Sequence, residues 1–481
     1  MSTTKDGRAD MTNFEMDLFD TSMKRWQEKE PVCKHSIVRP ACVPVTVIAL
    51  FIVLLVFFPL FNEDNIDSAS IRYEKSGVCR DLCEMEIVES IPTGLTYKNT
   101  TPSKETYVAW MELVKRATKN IDIAAFYWNL IDQTGYPTSW KGNNTFNGLI
   151  EAAKKGVKLN IAQNKPSQLF PQTDSAYLAK NGFATVRSLD FDRLLGSGVL
   201  HTKFWIVDNR DVYIGSANMD WKSLTEVKEL GYVFYNCSCL ANDLSKVFKI
   251  YWKLGEEKAK IPPKWPLYLK TPFNFSHPLK LNLNGHFVDV FISSSPVGFN
   301  SKGREHDADA IVSAMRTAQR FVHIAVMDYL PAIIYEKPHK DRYWSILDDA
   351  IRAAAYRGVE VKLLVSHWAH SRPQMIAYLL SLEDINEGLP HYDHNVTGSI
   401  RVGIFTVPST KEQLKLPFAR VNHNKYMVTD QVAYVGTSNW VGDYFVNTAG
   451  VGVTLISEER VSLLEAIFQR DWNSPFTKPL H

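Results

Sequence analysis

Hydrophobic and polar positions follow the same succession twice along this chain. In the first half, amphipathic helical spacing alternates with apolar runs typical of buried strands; helices are predicted at 106–118, 148–155 and 241–254, and strands at 121–128 and 156–162. The second half repeats this order, with helices predicted at 309–319, 351–356 and 463–472 and strands at 322–327 and 358–365. The repeat indicates an internal duplication, and the alternation of helices and strands predicts α/β lobes with parallel or mixed sheets.

Matched positions show where the two copies differ in length. The offset grows by about twenty residues between the Gly156–Gly358 pair and the His201–His423 pair, which one insertion near 378–396 explains. A Pro-rich segment separates the halves, so the first lobe is predicted at 79–270 and the second at 271–481. Two similar lobes can pack about a pseudo-two-fold axis, with equivalent segments meeting at the interface, where sites often lie.

The chain begins with a segment of different character. Residues 41–61 form an uncharged apolar run, long enough as a helix to cross the ~30 Å hydrocarbon layer of a membrane. Lys and Arg precede this run and Glu and Asp follow it, which predicts a signal-anchor with a cytosolic N-terminus. The predicted order is a cytosolic tail at 1–40, the transmembrane helix at 41–61 and a luminal stem at 62–78.

Composition narrows the class of protein without identifying a function. The chain has 481 residues, of which 45% are hydrophobic and 22% charged, as expected of globular domains, and its net charge is +2. A charge so close to neutral excludes a protein whose overall basicity binds nucleic acid. Any basic site must therefore be local.

Sequons and cysteines beyond the apolar run favour a luminal body. N-x-S/T sequons without Pro begin at Asn99, Asn143, Asn236, Asn274 and Asn395. The cysteines beyond the run are Cys79, Cys83, Cys237 and Cys239. An oxidising compartment would pair them. Three pairings are open, and we expect two bridges that run between the 79–83 and 237–239 segments.

One motif occurs in both lobes and carries the candidate chemistry. Each copy has the pattern H-x-K-x-x-x-x-D, followed by a Gly-led turn that ends in Asn. The residues are His201, Lys203, Asp208 and Asn218 in the first lobe and His423, Lys425, Asp430 and Asn439 in the second. Apolar residues between the Lys and the Asp predict a strand, on which the His and the Lys share a face because residues two apart point the same way. The Asn beyond the turn can return beside them.

Imidazole, ammonium and amide groups on one surface suit a phosphate. Lys supplies positive charge, Asn supplies N–H donors, and an imidazole can attack phosphorus or move a proton near neutral pH. Metal binding is the rival interpretation, but an ammonium has no lone pair to give, and His367 and His370 have no third ligand at suitable spacing. A pair of plain core histidines is disfavoured by the second copy of the whole pattern. The sequence therefore predicts a phosphate site that requires no metal or other cofactor.

The doubled motif resembles that of the phospholipase D superfamily. The segments HTKFWIVD, GSANMDW and VKELG in the first lobe, and VNHNKYMV and GTSNW in the second, are similar to those of family members three and four, and the resemblance covers about residues 79–481. It implies the phospholipase D fold in a type II membrane protein of the endoplasmic reticulum and Golgi, whose luminal part reaches the lysosome and is released by proteolysis. It also implies 5′-to-3′ exonuclease action on single-stranded DNA and RNA, which limits nucleic-acid sensing by innate immunity.

The same resemblance implies an alternative activity of a different class. Phosphatidyl transfer that makes the lysosomal lipid bis(monoacylglycero)phosphate is attributed to this family, with a lysophospholipid as substrate and the same phosphohistidine. A wide apolar groove would favour lipid transfer, whereas a narrow aromatic-lined channel would favour a nuclease. A catalytically inactive luminal binding module is a third alternative, against which both complete motifs argue. The sequence leaves open whether the chain forms a homodimer.

Roles for the motif residues follow from the resemblance. It implies attack on phosphorus by His201 and acid–base work by His423, a choice that the residues alone leave open. The groups expected to hold the non-bridging oxygens are Lys203, Lys425, Asn218 and Asn439, with hydroxyl contacts from Ser216 and Ser438. Asp208 and Asp430 belong to the candidate catalytic set, although a turn-capping or fold-supporting role is the interpretation we favour.

Three further residues near the motifs are candidates for the site. Glu229 is the better partner to orient a catalytic imidazole, and the position we expect to be equivalent in the second half is Thr448. One His would then have no such carboxylate. Trp440 and Tyr444, beyond the second turn, are the aromatic residues that we expect to contact the substrate, because bases stack on such rings.

Overall fold

Strands and helices alternate along the chain in the order that the sequence pattern predicts. The computed structural model describes residue 74 and residues 76–98, 102–336, 341–392 and 396–480. The strands are β1 (Val78–Ser90), β2 (Lys104–Glu105), β3 (Asn120–Ala125), β4 (Trp128–Asn129), β5 (Lys158–Asn164), β6 (Ala184–Leu189), β7 (Phe204–Val207), β8 (Asp211–Gly215), β9 (Met219–Asp220), β10 (Glu229–Tyr235), β11 (Leu279–Leu283), β12 (His286–Ser295), β13 (Glu305–His306), β14 (Phe321–Val326), β15 (Tyr329–Leu330), β16 (Ala332–Ile333), β17 (Arg342–Tyr343), β18 (Glu360–Ser366), β19 (His391–Tyr392), β20 (Val396–Thr397), β21 (Ser399–Phe405), β22 (Lys425–Thr429), β23 (Val432–Gly436), β24 (Trp440–Val441), β25 (Gly450–Ile456) and β26 (Thr477–Pro479). The α-helices are α1 (Thr106–Arg116), α2 (Trp140–Lys154), α3 (Thr173–Lys180), α4 (Phe191–Leu195), α5 (Trp221–Thr225), α6 (Ser238–Leu254), α7 (Asp307–Thr317), α8 (Ile346–Tyr356), α9 (Pro373–Asp384), α10 (Asp443–Val446) and α11 (Glu458–Trp472).

The strand order repeats in the two halves of the chain. In the first half the order is β6-β5-β3-β7-β8-β10-β1-β2, and in the second it is β21-β18-β14-β22-β23-β25-β12-β13. The first three strands of each series are parallel to one another. From the third strand to the seventh, neighbouring strands are antiparallel. The short last strand is parallel to the seventh. β1 also pairs in parallel with β11, which connects both series in one large mixed sheet.

The two halves share a hydrophobic core. Its largest cluster combines Phe204 and Tyr232 of the first half with Tyr426 and Val453 of the second. Each half also has a hydrophobic cluster of its own beneath its helices. The cluster of the first half includes residues of α1 and α2, and that of the second half includes residues of α7 and α8. Because each large apolar side chain contributes roughly 1.5–3 kcal/mol when fully buried, the shared cluster resists separation of the halves. The fold is a mixed α/β fold, and the domain limits at 79–270 and 271–481 stay predictions.

Two disulfides join β1 to the start of α6. Cys79 pairs with Cys239 and Cys83 with Cys237, with Cα–Cα distances of 6.0 and 4.8 Å. The expectation of two bridges between these segments is confirmed, and the structure selects one of the two arrangements that the sequence left open.

Several predictions concern residues outside the described ranges. The cytosolic tail at 1–40, the transmembrane helix at 41–61, most of the stem at 62–78, and the sequon residues Asn99 and Asn395 all lie there. Among the residues that the structure does describe, no helix has both the length and the hydropathy that a membrane crossing requires.

The remaining sequons lie in different settings. Asn236 is exposed and has a positive φ of 52°, Asn143 is half-buried on α2, and the Asn274 side chain accepts hydrogen bonds from the backbone N–H groups of Ser276 and His277. Modification of these residues stays a prediction, with Asn236 the most accessible of the three.

Candidate active site

Backbone bridges between the two halves hold the motif histidines. His201 lies just before β7, and its N–H donates to the carbonyl of Ala449 at 2.9 Å; His423 lies just before β22, and its N–H donates to the carbonyl of Lys228 at 2.8 Å. Each contact belongs to a short parallel bridge, Leu200 with Ala449 and Lys228 with Asn422. Each histidine is therefore positioned by the segment that leads into β10 or β25 of the opposite half.

The two imidazoles face each other across one small space. Their ring centroids are 6.5 Å apart, the planes are inclined by 73°, and His201 and His423 are only 5% and 7% exposed. His201 Nδ1 lies 2.9 Å from the Thr437 carbonyl oxygen, and His423 Nδ1 lies 2.8 Å from Glu229 Oε2. Within the described ranges neither Nε2 has a hydrogen-bonding protein partner, so both Nε2 atoms can address a single phosphoryl group.

Two buried lysines bring positive charge to the same space. Lys203 Nζ donates to the His201 carbonyl and Lys425 Nζ to the His423 carbonyl, each at 2.6 Å. Burial and the charge of Lys425 hold the pKa of Lys203 well below its usual range. Burial lowers the pKa of Lys425 to about 7, although the Glu229 carboxylate opposes this shift. The pKa values of both histidines are also held well below their usual range, first by burial and then by the lysines. Because an anion would stabilise the protonated forms of these lysines and histidines, the cluster favours the binding of an anion.

Both motif asparagines have a side-chain oxygen atom without a described partner. Asn218 and Asn439 are buried, and the Oδ1 of each has no hydrogen-bond partner among the described residues. Asn439 Nδ2 donates to the Tyr444 hydroxyl at 3.1 Å. The arrangement brings together both His and both Lys of the doubled motif, and Asn439 reaches the same space through Tyr444, which lies against His201.

The serines are placed differently from each other. Ser216 Oγ accepts from the N–H of Leu230 at 3.0 Å and is therefore engaged in the sheet. Its equivalent is Thr437, whose Oγ1 accepts from the N–H of Val451 at 3.0 Å. Ser438 is buried one residue further along. A phosphate contact from Ser216 or Ser438 stays a prediction, and Ser216 has the weaker case because its hydroxyl is already engaged.

The motif aspartates lie at the far ends of their strands. Asp208 accepts hydrogen bonds from the N–H groups of Thr118, Lys119 and Asn120 at 2.8–2.9 Å. Asp430 accepts from the N–H groups of Gln319 and Arg320 at 3.0 and 3.2 Å. In both halves the carboxylate caps the turn between a helix and the following strand, so these contacts correspond to the fold-supporting interpretation and not to contact with the imidazoles.

Glu229 orients a histidine of the opposite half, and its own counterpart is a glycine. Gly231 pairs with Gly215 in the first half, and Gly452 pairs with Gly436 in the second. The residue two before Gly452 is Gly450, so the expectation that Thr448 is the counterpart is wrong by two positions. A Cβ at Gly450 would overlap Ser438 Oγ, so a carboxylate at this position would require the Ser438 side chain to move.

The ionisation of Glu229 is set by its surroundings. Burial raises its pKa to about 7, and the charge of Lys425 acts in the opposite direction. His201, in contrast, has only a neutral carbonyl beside its Nδ1. The two half-sites are therefore alike in geometry and unequal in charge.

A family model described as PLD3/4, PLD-like domain matches residues 99–408. The chain belongs to this family. It is 47% identical over 503 residues to the probable phospholipase D F09G2.8 of Caenorhabditis elegans, covering 100% of this chain and 89% of that one. It is also 45% identical over 415 residues to the 5′-3′ exonuclease PLD3 of Homo sapiens, covering 85% and 83% of the two chains.

A solved structure shares the fold of this family member at low identity. The phosphatidylserine synthase of Haemophilus influenzae superposes with a TM-score of 0.53 and 13% identity, covering 85% of this chain and 91% of that one. At this identity the likeness concerns the fold alone. The family model ends at residue 408, before the second motif, whereas the Caenorhabditis elegans relative matches this chain throughout.

The structure of this PLD-like protein changes the selection of aromatic residues expected to contact the substrate. Trp440 is 1% exposed and packs in the core of the second half, so it offers no ring face to a substrate, and its selection as a substrate contact is wrong. Tyr444 lies against His201, with ring centroids 4.8 Å apart, and is half-buried at the site. Position beyond the turn predicted nearness to the site but not which rings face outward.

Other residues at the site gave no signal in the sequence. Asp328 lies near Lys425, and burial raises the pKa of its carboxyl to about 6 while the charge of Lys425 opposes the shift. Phe126 lies beside His201, with ring centroids 5.3 Å apart. Both follow the strand that pairs with a motif strand, β14 or β3, so strand pairing would have identified them.

One group of ligand-type side chains among the described residues has its ligand atoms close enough together to reach a single metal ion. The group of three ligand-type side chains that lies within reach of one ion consists of Cys79, Asp81 and Cys239, and both of its cysteines are oxidised in the disulfide. His367 and His370 are exposed, and His370 stacks on the ring of Phe418.

Proposed function

We propose that this protein is a phosphodiesterase that hydrolyses single-stranded DNA and RNA from the 5′ end through a phosphohistidine intermediate. The observation that carries the proposal is the pair of buried imidazoles, 6.5 Å apart, with both motif lysines beside them. Relatives that are 43–45% identical over most of the chain are named 5′-3′ exonuclease PLD3. The single site formed by both motifs matches the geometry that transfer of one phosphoryl group requires.

The first step forms a bond between His201 Nε2 and phosphorus. As this bond forms, the bond from phosphorus to the leaving ester oxygen breaks, and His423 Nε2–H donates a proton to that oxygen. The unequal partners support this assignment. The Glu229 carboxylate stabilises a protonated His423. Burial and the lysines keep His201 neutral, and the Thr437 carbonyl accepts its Nδ1–H, which leaves the Nε2 lone pair available for attack.

The second step releases the phosphate product. His423 removes a proton from a water molecule, the water oxygen bonds to phosphorus, and the bond between phosphorus and His201 breaks. Lys203 and Lys425 stabilise the charge on the non-bridging oxygens in both steps. Entry of the phosphate anion also favours the protonated forms of Lys425 and His423, which burial disfavours in the free protein; the charges of the two lysines add to this effect on His423.

We further propose that hydrolysis requires no metal ion, because the two lysines supply the positive charge that a metal would otherwise bring. Activity that survives prolonged treatment with a chelator is the expected result. Loss of activity on chelation, with recovery on adding a divalent cation, would contradict this part of the proposal.

We also propose that residues 41–61 anchor the protein in the membrane and that the catalytic body lies in the lumen and reaches the lysosome. The two disulfides support an oxidising compartment. Protease protection of the catalytic body in intact microsomes, together with a mass shift on glycosidase treatment, would test this location.

An activated ester separates the roles of the two histidines. A p-nitrophenyl ester of a nucleotide has a leaving group that needs no protonation, so His423→Ala should release one equivalent of p-nitrophenol in a burst and then stall as a phosphohistidine. His201→Ala should show no burst. A burst in His201→Ala and none in His423→Ala would reverse the assignment. Oligonucleotides labelled at either end test the direction of attack, because the proposal predicts early release of the 5′ label only.

A further inference from the structure

Aromatic rings form a continuous row that starts at the catalytic histidine. Phe126 lies 5.3 Å from His201 and 5.1 Å from Phe170, measured between ring centroids. Phe170 is 5.9 Å from Phe418, and Phe418 stacks on His370 at 5.0 Å with an interplanar angle of 20°. Trp368 lies edge-to-face with His370, with ring centroids 4.7 Å apart and an interplanar angle of 70°. We call Phe170, Phe418, His370 and Trp368 the aromatic row.

The row lies at the surface, unlike most large aromatic side chains of this protein. Phe418 is 36% exposed, His370 is exposed, and Phe170 and Trp368 are half-buried. Phe170 belongs to the first half and the other three rings to the second, so the row crosses between the halves beside the space that holds the imidazoles. The aromatic row extends from the phosphodiester site along the surface. A polynucleotide carries one planar base for each phosphate, so its bases could stack on successive rings of the row.

The backbone that carries Phe418 is held in an unusual conformation. Phe418 and Arg420 have positive φ values of 54° and 55°, which residues other than glycine seldom adopt. Arg420 is fixed across the halves, because its N–H donates to the Glu226 carbonyl at 3.0 Å and its Nη1 donates to Glu226 Oε2 at 2.8 Å. Strain of this kind persists where the surrounding structure enforces it, often at binding sites. The first half therefore sets where the Phe418 ring lies.

We propose that the aromatic row is a stacking platform for the bases of the single-stranded substrate, next to the phosphate that is cleaved. This inference rests on the proposed nuclease function. Base stacking on aromatic rings is tolerant of sequence and needs unpaired bases, so the row selects single strands and accepts both DNA and RNA. An acyl chain is the less suitable occupant, because the rings form an open row at the surface and not an enclosed apolar groove.

The test compares normal oligonucleotides with oligonucleotides that lack a base at one defined position near the 5′ end. In the wild-type protein, one or more such positions should raise KM by roughly 5- to 150-fold, the range expected for one lost stacking contact. Phe418→Ala should raise KM for the normal oligonucleotide by a similar factor, with kcat nearly unchanged, and His370→Ala should act in the same direction. Removing the base should then have little further effect in Phe418→Ala.

Controls distinguish loss of the platform from loss of the fold or of the function. Phe287→Ala removes a ring that is 64% exposed elsewhere, on β12, and should leave KM unchanged. Hydrolysis of methyl p-nitrophenyl phosphate, a diester that carries no base, by Phe418→Ala at the wild-type rate would show that the catalytic site is intact.

Three outcomes would count against the platform. If the wild-type protein degrades oligonucleotides but neither Phe418→Ala nor base removal changes KM, the platform is wrong while the nuclease function stands. If the wild-type protein cleaves the ester but no oligonucleotide, the nuclease function itself fails. If Phe418→Ala slows phosphatidyl transfer in lysophosphatidylglycerol micelles but not oligonucleotide hydrolysis, the row binds lipid and the proposal is overturned.

Discussion

Glu229 is a residue whose contribution to the site opposes its contribution to stability. Its carboxylate is fully buried, accepts a hydrogen bond from His423, and has its pKa raised to about 7 by burial. Because the native state holds this proton more tightly than the unfolded state, the group favours folding most below its usual pKa. That contribution is lost as the pH rises towards about 7. At neutral pH the ionised carboxylate therefore orients the imidazole while it destabilises the fold.

Replacing this carboxylate should separate the two effects. In Glu229→Gln we expect kcat to fall on the order of 100-fold, because the amide cannot stabilise a protonated His423. We also expect the variant to be more stable than the wild type at pH 7 and above, since the buried charge is gone. Steady-state kinetics and thermal unfolding across pH 4 to 8 measure both, and the gain in Tm should grow from about pH 4.5 to 7.

An exposed glutamate provides the matched control for this substitution. Glu84 lies on β1 with its side chain in solvent, so Glu84→Gln should change neither kcat nor Tm. Equal loss of kcat in both variants, or a Tm gain in Glu229→Gln that does not depend on pH, would contradict the role assigned to the buried carboxylate.

At the residue scale, the site could be predicted where a motif carries it. The doubled pattern identified both His, both Lys and both Asn, because each has a fixed place near a strand end or turn. Thr437, Asp328 and Phe418 could not be identified in this way. Thr437 contributes a backbone carbonyl, which any residue offers, and Asp328 and Phe418 reach the site through strand pairing and a left-handed backbone that local sequence does not encode.

Among the elements, β1 and α6 are joined by two nearly redundant covalent links. The disulfides Cys79–Cys239 and Cys83–Cys237 close loops with sequence separations of 160 and 154 residues. Once either bridge is present, the other closes only a short additional loop. The entropy of the unfolded chain is therefore reduced mainly by whichever bridge forms first.

Removal of the bridges should consequently be far from additive. Loss of one bridge, as in the double variant Cys83→Ala with Cys237→Ala, should cost much less than loss of both, for which chain entropy predicts about 5 kcal/mol. Urea unfolding measures these differences in three variants: one without the Cys83–Cys237 bridge, one without the Cys79–Cys239 bridge and one without both. Enzymatic activity is the check that the site is retained. Single-bridge costs that sum to the cost of the double deletion would show that native contacts, and not chain entropy, account for the effect.

At the element scale, apolar periodicity located most helices and strands but misplaced their ends. The helix predicted at 148–155 begins at Trp140 in the structure. Its first turn contains Gly142, a poor helix former, at a position where a Cβ would overlap Leu130 and Trp221. Close packing thus places a poor helix former inside a helix. The expected insertion at 378–396 is divided in the structure. The offset between equivalent residues rises from 202 at β5 and β18 to 216 at β6 and β21, and to 222 at β7 and β22.

In the molecule as a whole, the two halves complete each other's sites through contacts that local patterns could not reveal. The Lys228 carbonyl of the first half binds the His423 N–H, while the buried Lys228 ammonium pairs with Asp471 of the second half at 2.7 Å. Arg420 pairs with Glu226 across the same boundary. The duplication was evident in the sequence, but which segments of the two copies meet depends on the bridges of Lys228 with Asn422 and of Leu200 with Ala449, which join residues far apart in the chain.

Because both half-sites lie within one chain, two inactive variants should not rescue each other. His201→Ala and His423→Ala each lack one imidazole, and a mixture of the two should remain inactive, since no intact pair of imidazoles forms within either molecule. The shared hydrophobic core makes exchange of halves between folded chains unfavourable. The measurement is oligonucleotide hydrolysis by the mixture, both after simple mixing and after joint unfolding and refolding. A wild-type protein diluted with His201→Ala serves as the control and should lose activity only in proportion to dilution. Activity that appears on simple mixing would mean that the working site is assembled from two chains, and the intramolecular pair of imidazoles would then not be the catalytic unit.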